Sequence, residues 1–327
     1  ANIALSGVEI IEAASADATT FRVDQGDLAA GGSVVGIGNK VDTLSAVGTL
    51  LDLRSTTLTS VERLTAASAT ATTFVVNQAD LASAVIGNAG TDTLRGADTQ
   101  IDLRSVTLLS IERVEAGAEG ATTIQVAASF VARARDVIGT ASANDVFEVN
   151  GNSIDLRLVA LSGVEVIRAT STFIAQNQEF RVDQADLASG GTIDGGGGTD
   201  TLSAAGASLN LASTTLSSVE IIAAGTSSAT TITVDQADLL AGGSVTGNTG
   251  TDTLAAAGTS LNLTSTTLSS VEILAATNAS ATTITVDQAD LASGGSVTGN
   301  AGTDTLAAAG TSLNLTSTTL SSVEILA

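Results

Sequence analysis

The chain contains no proline, cysteine, methionine, histidine, tryptophan or tyrosine, and only six phenylalanines among its 327 residues. Each absence removes a class of chemistry. Without cysteine there are no disulfides and no thiolate metal sites. Without histidine the commonest general base and the commonest transition-metal ligand are gone. Without tyrosine or tryptophan, a stacking platform for sugars or single-stranded nucleic acid is hard to build. The missing methionine includes an initiator, so the sequence reads as a processed product or a segment of a longer chain. No apolar run is long enough for a membrane span, and no charged-then-apolar leader opens the sequence.

Basic residues are scarce and unevenly placed. All 12 lie between Arg22 and Arg181, while Val182 to Ala327 carries 13 acids and no Lys or Arg. The net charge of −22 repels nucleic acid and anionic lipid, so neither is an expected partner. Disorder is not the expectation, because the acidic half keeps Ile, Leu and Val at fixed intervals. The Asn-x-Ser/Thr sequences at Asn262, Asn278 and Asn314 read as chance in a Ser/Thr-rich repeat.

What the chain does have is repetition. Val-Glu, once Ile-Glu, recurs at Val8, Val61, Ile111, Val164, Val219, Val271 and Val323, at spacings of 53, 50, 53, 55, 52 and 52 residues. Asp-Gln-Ala-Asp-Leu keeps step at 183–187, 235–239 and 287–291, with variants at 24–28 and 77–81. Gly-Asn-x-Gly-Thr-Asp-Thr-Leu falls at 87–94, 247–254 and 299–306. Such a period means one stacked array over 1–327, whose units bury their apolar faces against neighbours.

Within one repeat the apolar pattern alternates over short stretches, as at Thr283–Val286, and turn residues separate the stretches. The expectation is an all-β, elongated, parallel β-solenoid of ~52-residue repeats with Ile284, Val286, Leu291, Val297 and Leu306 inside. Leu261-Asn-Leu matches Ile284-Thr-Val at an offset of 23, and the return to Leu313 takes 29, so each repeat reads as two unequal rungs. Six repeat intervals then make 12 rungs. Asp287 and Asp290 have the spacing of a capping box on a short helical turn.

Gly299-Asn-Ala-Gly-Thr-Asp-Thr-Leu-Ala307 fits the glycine-aspartate nonapeptide of calcium-binding β-rolls. Here the chain resembles the RTX (repeats-in-toxin) family, and also the β-strand repeats of giant secreted bacterial adhesins and surface-layer proteins. The resemblance covers nearly the whole chain and includes strands ending Ser-Gly-Val-Glu, as at Ser162–Glu165. It implies secretion, a cell-surface setting and calcium held by hard oxygen ligands. Carried over, the candidate calcium ligands are Asp42, Asp92, Asp200, Asp252 and Asp304, with Asp145 a degenerate sixth. In the family the nonapeptides follow one another directly; here there is one per repeat. Two rungs would set successive Asp residues ~10 Å apart, against a Ca²⁺–oxygen bond of ~2.4 Å. The alternative reading is a turn whose Asp accepts backbone N–H groups. On that ground Ca²⁺ is expected to bind weakly if at all.

The third repeat, 111–163, is irregular. Ala127-Ala-Ser-Phe130 replaces Asp-Gln-Ala-Asp, Arg133 and Arg135 follow, and four of the six Phe (130, 147, 173, 180) lie in or near it. This is either a contact or ligand patch, or drift with Phe filling the core.

The leading functional reading is a structural or interaction protein: a fibre, stalk, adhesin or surface-layer segment, not an enzyme. Acids at one end and Arg22, Lys40 and Arg54 near the other favour head-to-tail self-association, and a cell-surface or glycan contact fits the resemblance. The first alternative is a calcium-binding adhesin segment of RTX type. The second is a β-helix polysaccharide enzyme, whose only candidate groups are Arg133, Arg135, Asp136 and Asp145. An ice- or mineral-binding face is disfavoured, because the repeat ladder through Thr285 reads Thr233, Arg181, Gln125, Val75 and Arg22.

Overall fold

A computed structural model describes residues 5, 7–118, 120–142, 144–170 and 175–327. Phe173 and most of the first six residues lie outside the described set. Parallel strands stack in about 14 turns of a β-solenoid. The only helical structure among the described residues is five single 3-10 turns, at Gln25–Asp27, Gln78–Asp80, Gln184–Asp186, Gln236–Asp238 and Gln288–Asp290. Among the described residues no helix is long and apolar enough to cross a membrane.

The chain divides into two units, Ala1–Glu148 with Leu158–Val164, and Val149–Arg157 with Glu165–Ala327. In the first, a six-stranded sheet runs from Leu50–Asp52 through Thr73–Val76, Thr93–Gly96, Arg113–Ala116 and Arg135–Ile138 to Val159–Ser162. A five-stranded sheet runs from Thr20–Val23 to Thr107–Leu109, and a three-stranded one from Ile10–Glu12 to Thr57–Thr59. The second unit holds a six-stranded sheet from Ser153–Asp155 to Thr267–Ser269, another from Ser208–Asn210 to Thr319–Ser321, and a four-stranded one from Ser260–Asn262 to Ile325–Leu326.

Register explains the core. Leu261, Ile284, Leu306 and Leu326 stack in one column, 23, 22 and 20 residues apart. Leu209, Ile232, Leu254, Leu274, Val297 and Leu320 form the next. Each strand points one residue in two inward, and Ile284, Val286, Val297 and Leu306 are buried as the alternation predicts. Each contributes roughly 1.5–3 kcal/mol by leaving water. Leu291 is only half-buried, because it caps the 3-10 turn instead of lying in a strand.

The turn is therefore about 22 residues, and the two-rung repeat is corrected. The offset of 23 between Leu261 and Ile284 is a true step, but the next partner is Leu306, not Leu313. One repeat comprises the strands Thr231–Val234, Ser244–Thr246, Thr253–Ala256, Ser260–Asn262, Thr267–Ser269 and Ile273–Ala276 plus the 3-10 turn Gln236–Asp238. That is seven positions on a coil with three faces, so each repeat begins one face further round than the last. Thr231–Val234 and its repeat equivalent Thr283–Val286 lie in different sheets. The ladder through Thr285 is likewise corrected: Thr285 stacks between Asn262 and Ala307, not on Thr233.

Candidate functional site

Six buried aspartates recur at one place in the repeat, and they are the five candidate calcium ligands plus Asp145. Oδ1 of Asp42, Asp92, Asp145, Asp200, Asp252 and Asp304 accepts the backbone N–H of Thr19, Thr72, Thr122, Gln178, Thr230 and Thr282 respectively, at 2.5–2.8 Å. Each donor lies on the preceding turn. Oδ2 of all but Asp200 accepts a second N–H, from Ile37, Asn88, Thr140, Asn248 or Asn300, at 2.5–2.6 Å. The N–H groups of Asp42, Asp92, Asp200, Asp252 and Asp304 donate to Oε2 of Glu62, Glu112, Glu220, Glu272 and Glu324 on the following turn, at 2.7–2.9 Å. Each carbonyl of these five also accepts two N–H groups, as Asp252 does from Glu272 and Ile273. One aspartate thus ties three turns together, and the Val-Glu word exists to meet it.

Two further features serve this staple. Gly299 approaches so closely that a Cβ there would collide with the Ser322 carbonyl and lie 2.7 Å from Asp304 Oδ2. Ser60, Ser110, Ser218, Ser270 and Ser322, just before each Val-Glu or Ile-Glu, sit at φ of 48–52°. Gly163 does the same at 62° in Ser-Gly-Val-Glu. Asp200 is the exception among the aspartates. It follows four glycines, Gly196 is left-handed at φ 88°, and Asp200 Oδ2 has no hydrogen-bond partner among the described residues. Burial first, then the charges of Glu220 and Asp194, push its carboxyl up to about 6.

The Asp-Gln-Ala-Asp word makes the capping box its spacing predicts. Asp287 Oδ1 accepts from Ala289 N–H and Asp290 Oδ2 from Asp287 N–H. The same reciprocal box closes at Asp24, Asp183 and Asp235, while Asn77 caps alone. Below the turn, Leu5 N–H donates to Asp27 Oδ1 and Leu58 N–H to Asp80 Oδ1. Above it, the glutamine replaces a strand. Gln25, Gln78, Gln184, Gln236 and Gln288 each accept the N–H of Asp52, Asp102, Asn210, Asn262 or Asn314 at 2.5–2.7 Å. Each returns an amide N–H to the same residue's carbonyl at 3.1–3.5 Å. The 3-10 turn interrupts one sheet per repeat, and the glutamine splices the hydrogen-bond ladder across the gap. Burial pushes the second aspartate up to about 7 at Asp186 and Asp238 and about 6 at Asp290.

The third repeat lacks the splice. Phe130 stands where Asp80 stands in the second repeat, packs on Phe147 with ring centroids 6.0 Å apart, and faces the Arg135 guanidinium at 4.9 Å. Buried Arg135 donates Nη1–H to the Ile111 carbonyl and Nη2–H to the Leu108 carbonyl. A cavity of about 280 Å³ opens beside it, lined by Leu103–Leu109, Ala127, Ser129, Phe130, Arg133 and Arg135. A larger recess of about 630 Å³ surrounds Gln78, Asp98, Gln100 and Asp102. Its polar groups already bond one another or Gln125.

No protein-family model matches the chain, and no curated protein or solved structure matches it either.

The structure thus separates several residues that the sequence grouped. Repeat-equivalent aspartates fall on successive faces, and no three acids converge into a metal cluster among the described residues. Of the four candidate catalytic groups, only Arg133 and Arg135 line the cavity. Asp136 pairs with Arg113 at 3.3 Å, and Asp145 is a staple. Sequence reasoning missed the splicing glutamine and the glutamate acceptor. The signal for the glutamate was present: Asp to Glu is 20 residues in every copy, while the repeat itself varies from 50 to 55.

Proposed function

We propose that the chain is a structural and interaction protein, an extracellular repeat array acting as scaffold in a fibre, stalk or surface layer and associating end to end with its own copies. The observation that carries this reading is where the polar chemistry goes. Aspartate, glutamate and glutamine in each regular repeat are spent on backbone groups of adjacent turns. Catalysis needs acids, bases and cations left over and converging on a groove. The glycine-aspartate words and the acidic surface support secretion and kinship with the repeats-in-toxin group.

The test is electron microscopy with sedimentation velocity on the purified chain. Filaments or a concentration-dependent series of oligomers are expected. Ile325→Lys should give monomers with an unchanged β circular-dichroism spectrum. A parent that stays monomeric at high concentration in moderate salt removes the end-to-end contact. Turnover of a polysaccharide by the pure chain removes the scaffold reading altogether.

A further inference from the structure

In the other five repeats an aspartate, buried in all but the first, completes the 3-10 turn and, at Asp27 and Asp80, takes an N–H from the preceding turn of the coil. In the third repeat that carboxylate is missing. Phe130 holds its position in the chain, and the repeat counterpart of Leu58, whose N–H that carboxylate takes, is Leu108, a residue that lines the open cavity. Two arginines stand over it. Arg135 is buried and, among the described residues, has no carboxylate partner and leaves Nε–H unbonded. Arg133 is exposed and makes no ion pair among the described residues. Both are out of character in a chain of net charge −22. A guanidinium carries five donors in a fork that fits a carboxylate, and a buried charge without a counter-charge is costly. Leu109, Val106 and Phe130 make the remaining wall apolar.

We infer that this cavity binds a small organic carboxylate, whose head group takes the place that the second aspartate of Asp-Gln-Ala-Asp fills in the other repeats. The head group receives N–H from Arg133 and Leu108, and offsets the charge of Arg135. A short apolar tail lies against Leu109 and Phe130. This goes beyond the scaffold reading and does not depend on it, since it concerns one repeat and not the array.

The test is a calorimetric titration of the full chain with butyrate at fixed ionic strength, with inorganic phosphate as the comparison anion. Saturable one-to-one binding is expected with a dissociation constant on the order of 1 mM, given the few atoms of the probe. Arg133→Gln should weaken it about tenfold, the equivalent of one charge-assisted hydrogen bond. Phe130→Asp supplies the carboxylate from within and should abolish binding. If that core variant does not fold by circular dichroism, Arg133→Gln still decides, because its side chain is exposed. Absence of saturation, equal response to phosphate, or unchanged affinity in Arg133→Gln overturns the proposal.

Discussion

Gln236 and Asn262 exchange two hydrogen bonds across 26 residues of chain. Asn262 N–H donates to Gln236 Oε1 at 2.6 Å, and Gln236 Nε2 donates to the Asn262 carbonyl at 3.3 Å. A side-chain amide has the same donor and acceptor as a peptide group, so it can stand in for a missing strand. Gln236→Leu is predicted to destabilise the chain by about 0.5–1.5 kcal/mol, because it leaves both backbone groups of Asn262 to exposed solvent instead of the splice. Gln236→Glu should also destabilise, since a carboxylate cannot donate to the carbonyl. Urea unfolding of both variants against the parent checks this, and an unchanged midpoint for Gln236→Leu would show that the splice contributes nothing.

Asp252 holds two N–H groups on its carboxylate and donates its own to Glu272. Replacing it with alanine leaves Thr230 and Asn248 N–H without their acceptor, and a cost of roughly 3 kcal/mol or more follows. Glu272→Gln keeps an acceptor oxygen and should cost under about 1 kcal/mol. Both carboxylate oxygens of Asp252 already accept backbone N–H groups, so excess chelator is expected to leave the melting temperature of the parent unchanged. Loss of β-structure on chelation would return Asp252 and its equivalents to the role of ion ligands.

Ser270 is left-handed at φ 51°, a region that costs a residue with a Cβ about 1–2 kcal/mol. The chain already uses glycine at this place in Gly163. Ser270→Gly is therefore predicted to stabilise the fold, by about 0.5–1 kcal/mol after the extra entropy of an unfolded glycine is subtracted. Thermal melting is the check; a lower melting temperature contradicts the argument.

Burial raises Asp186 and Asp238 to about 7 and Asp290 to about 6, against an ordinary value of 3.8. Between those limits the folded chain holds protons that the unfolded chain has released. Stability therefore falls as pH rises from about 4 to about 7. The like charges of a chain at −22 act in the same direction. In contrast, bonds from Arg54, Arg104 and Arg157 hold Asp52, Asp102 and Asp155 below the usual range. What those pairs contribute is lost only in stronger acid. The melting temperature should be higher at pH 5 than at pH 8, and Asp238→Asn should flatten the slope. A parent most stable at pH 8 would refute the sign.

The sequence showed the solenoid through its repeat period, and the core alternation and the capping box at Asp287 and Asp290 because each of those two lies within a few residues of chain. It misled on the turn. Leu313 is the image of Leu261 one repeat on, and the repeat makes the two alike without making Leu313 the neighbour of Ile284. Identity fixes only the local environment: Leu306, from a different word, is what covers Ile284. The role of Gln236 was illegible for the same reason, since its partner Asn262 belongs to another word on another turn. Arg135 was visible as an oddity, but its partners are the backbone carbonyls of Ile111 and Leu108, which no side-chain pattern reveals.

Seven positions on three faces make each repeat an indexing step. Duplicating one repeat would lengthen the stack without disturbing the core, because every strand still finds an equivalent strand beneath it. Yet everything downstream of the duplication would be re-aimed by one face. Only insertions of three repeats preserve the azimuth of a distant patch. A lineage that gains or loses repeats by recombination would therefore change the bearing of its surfaces as well as the length of its stack.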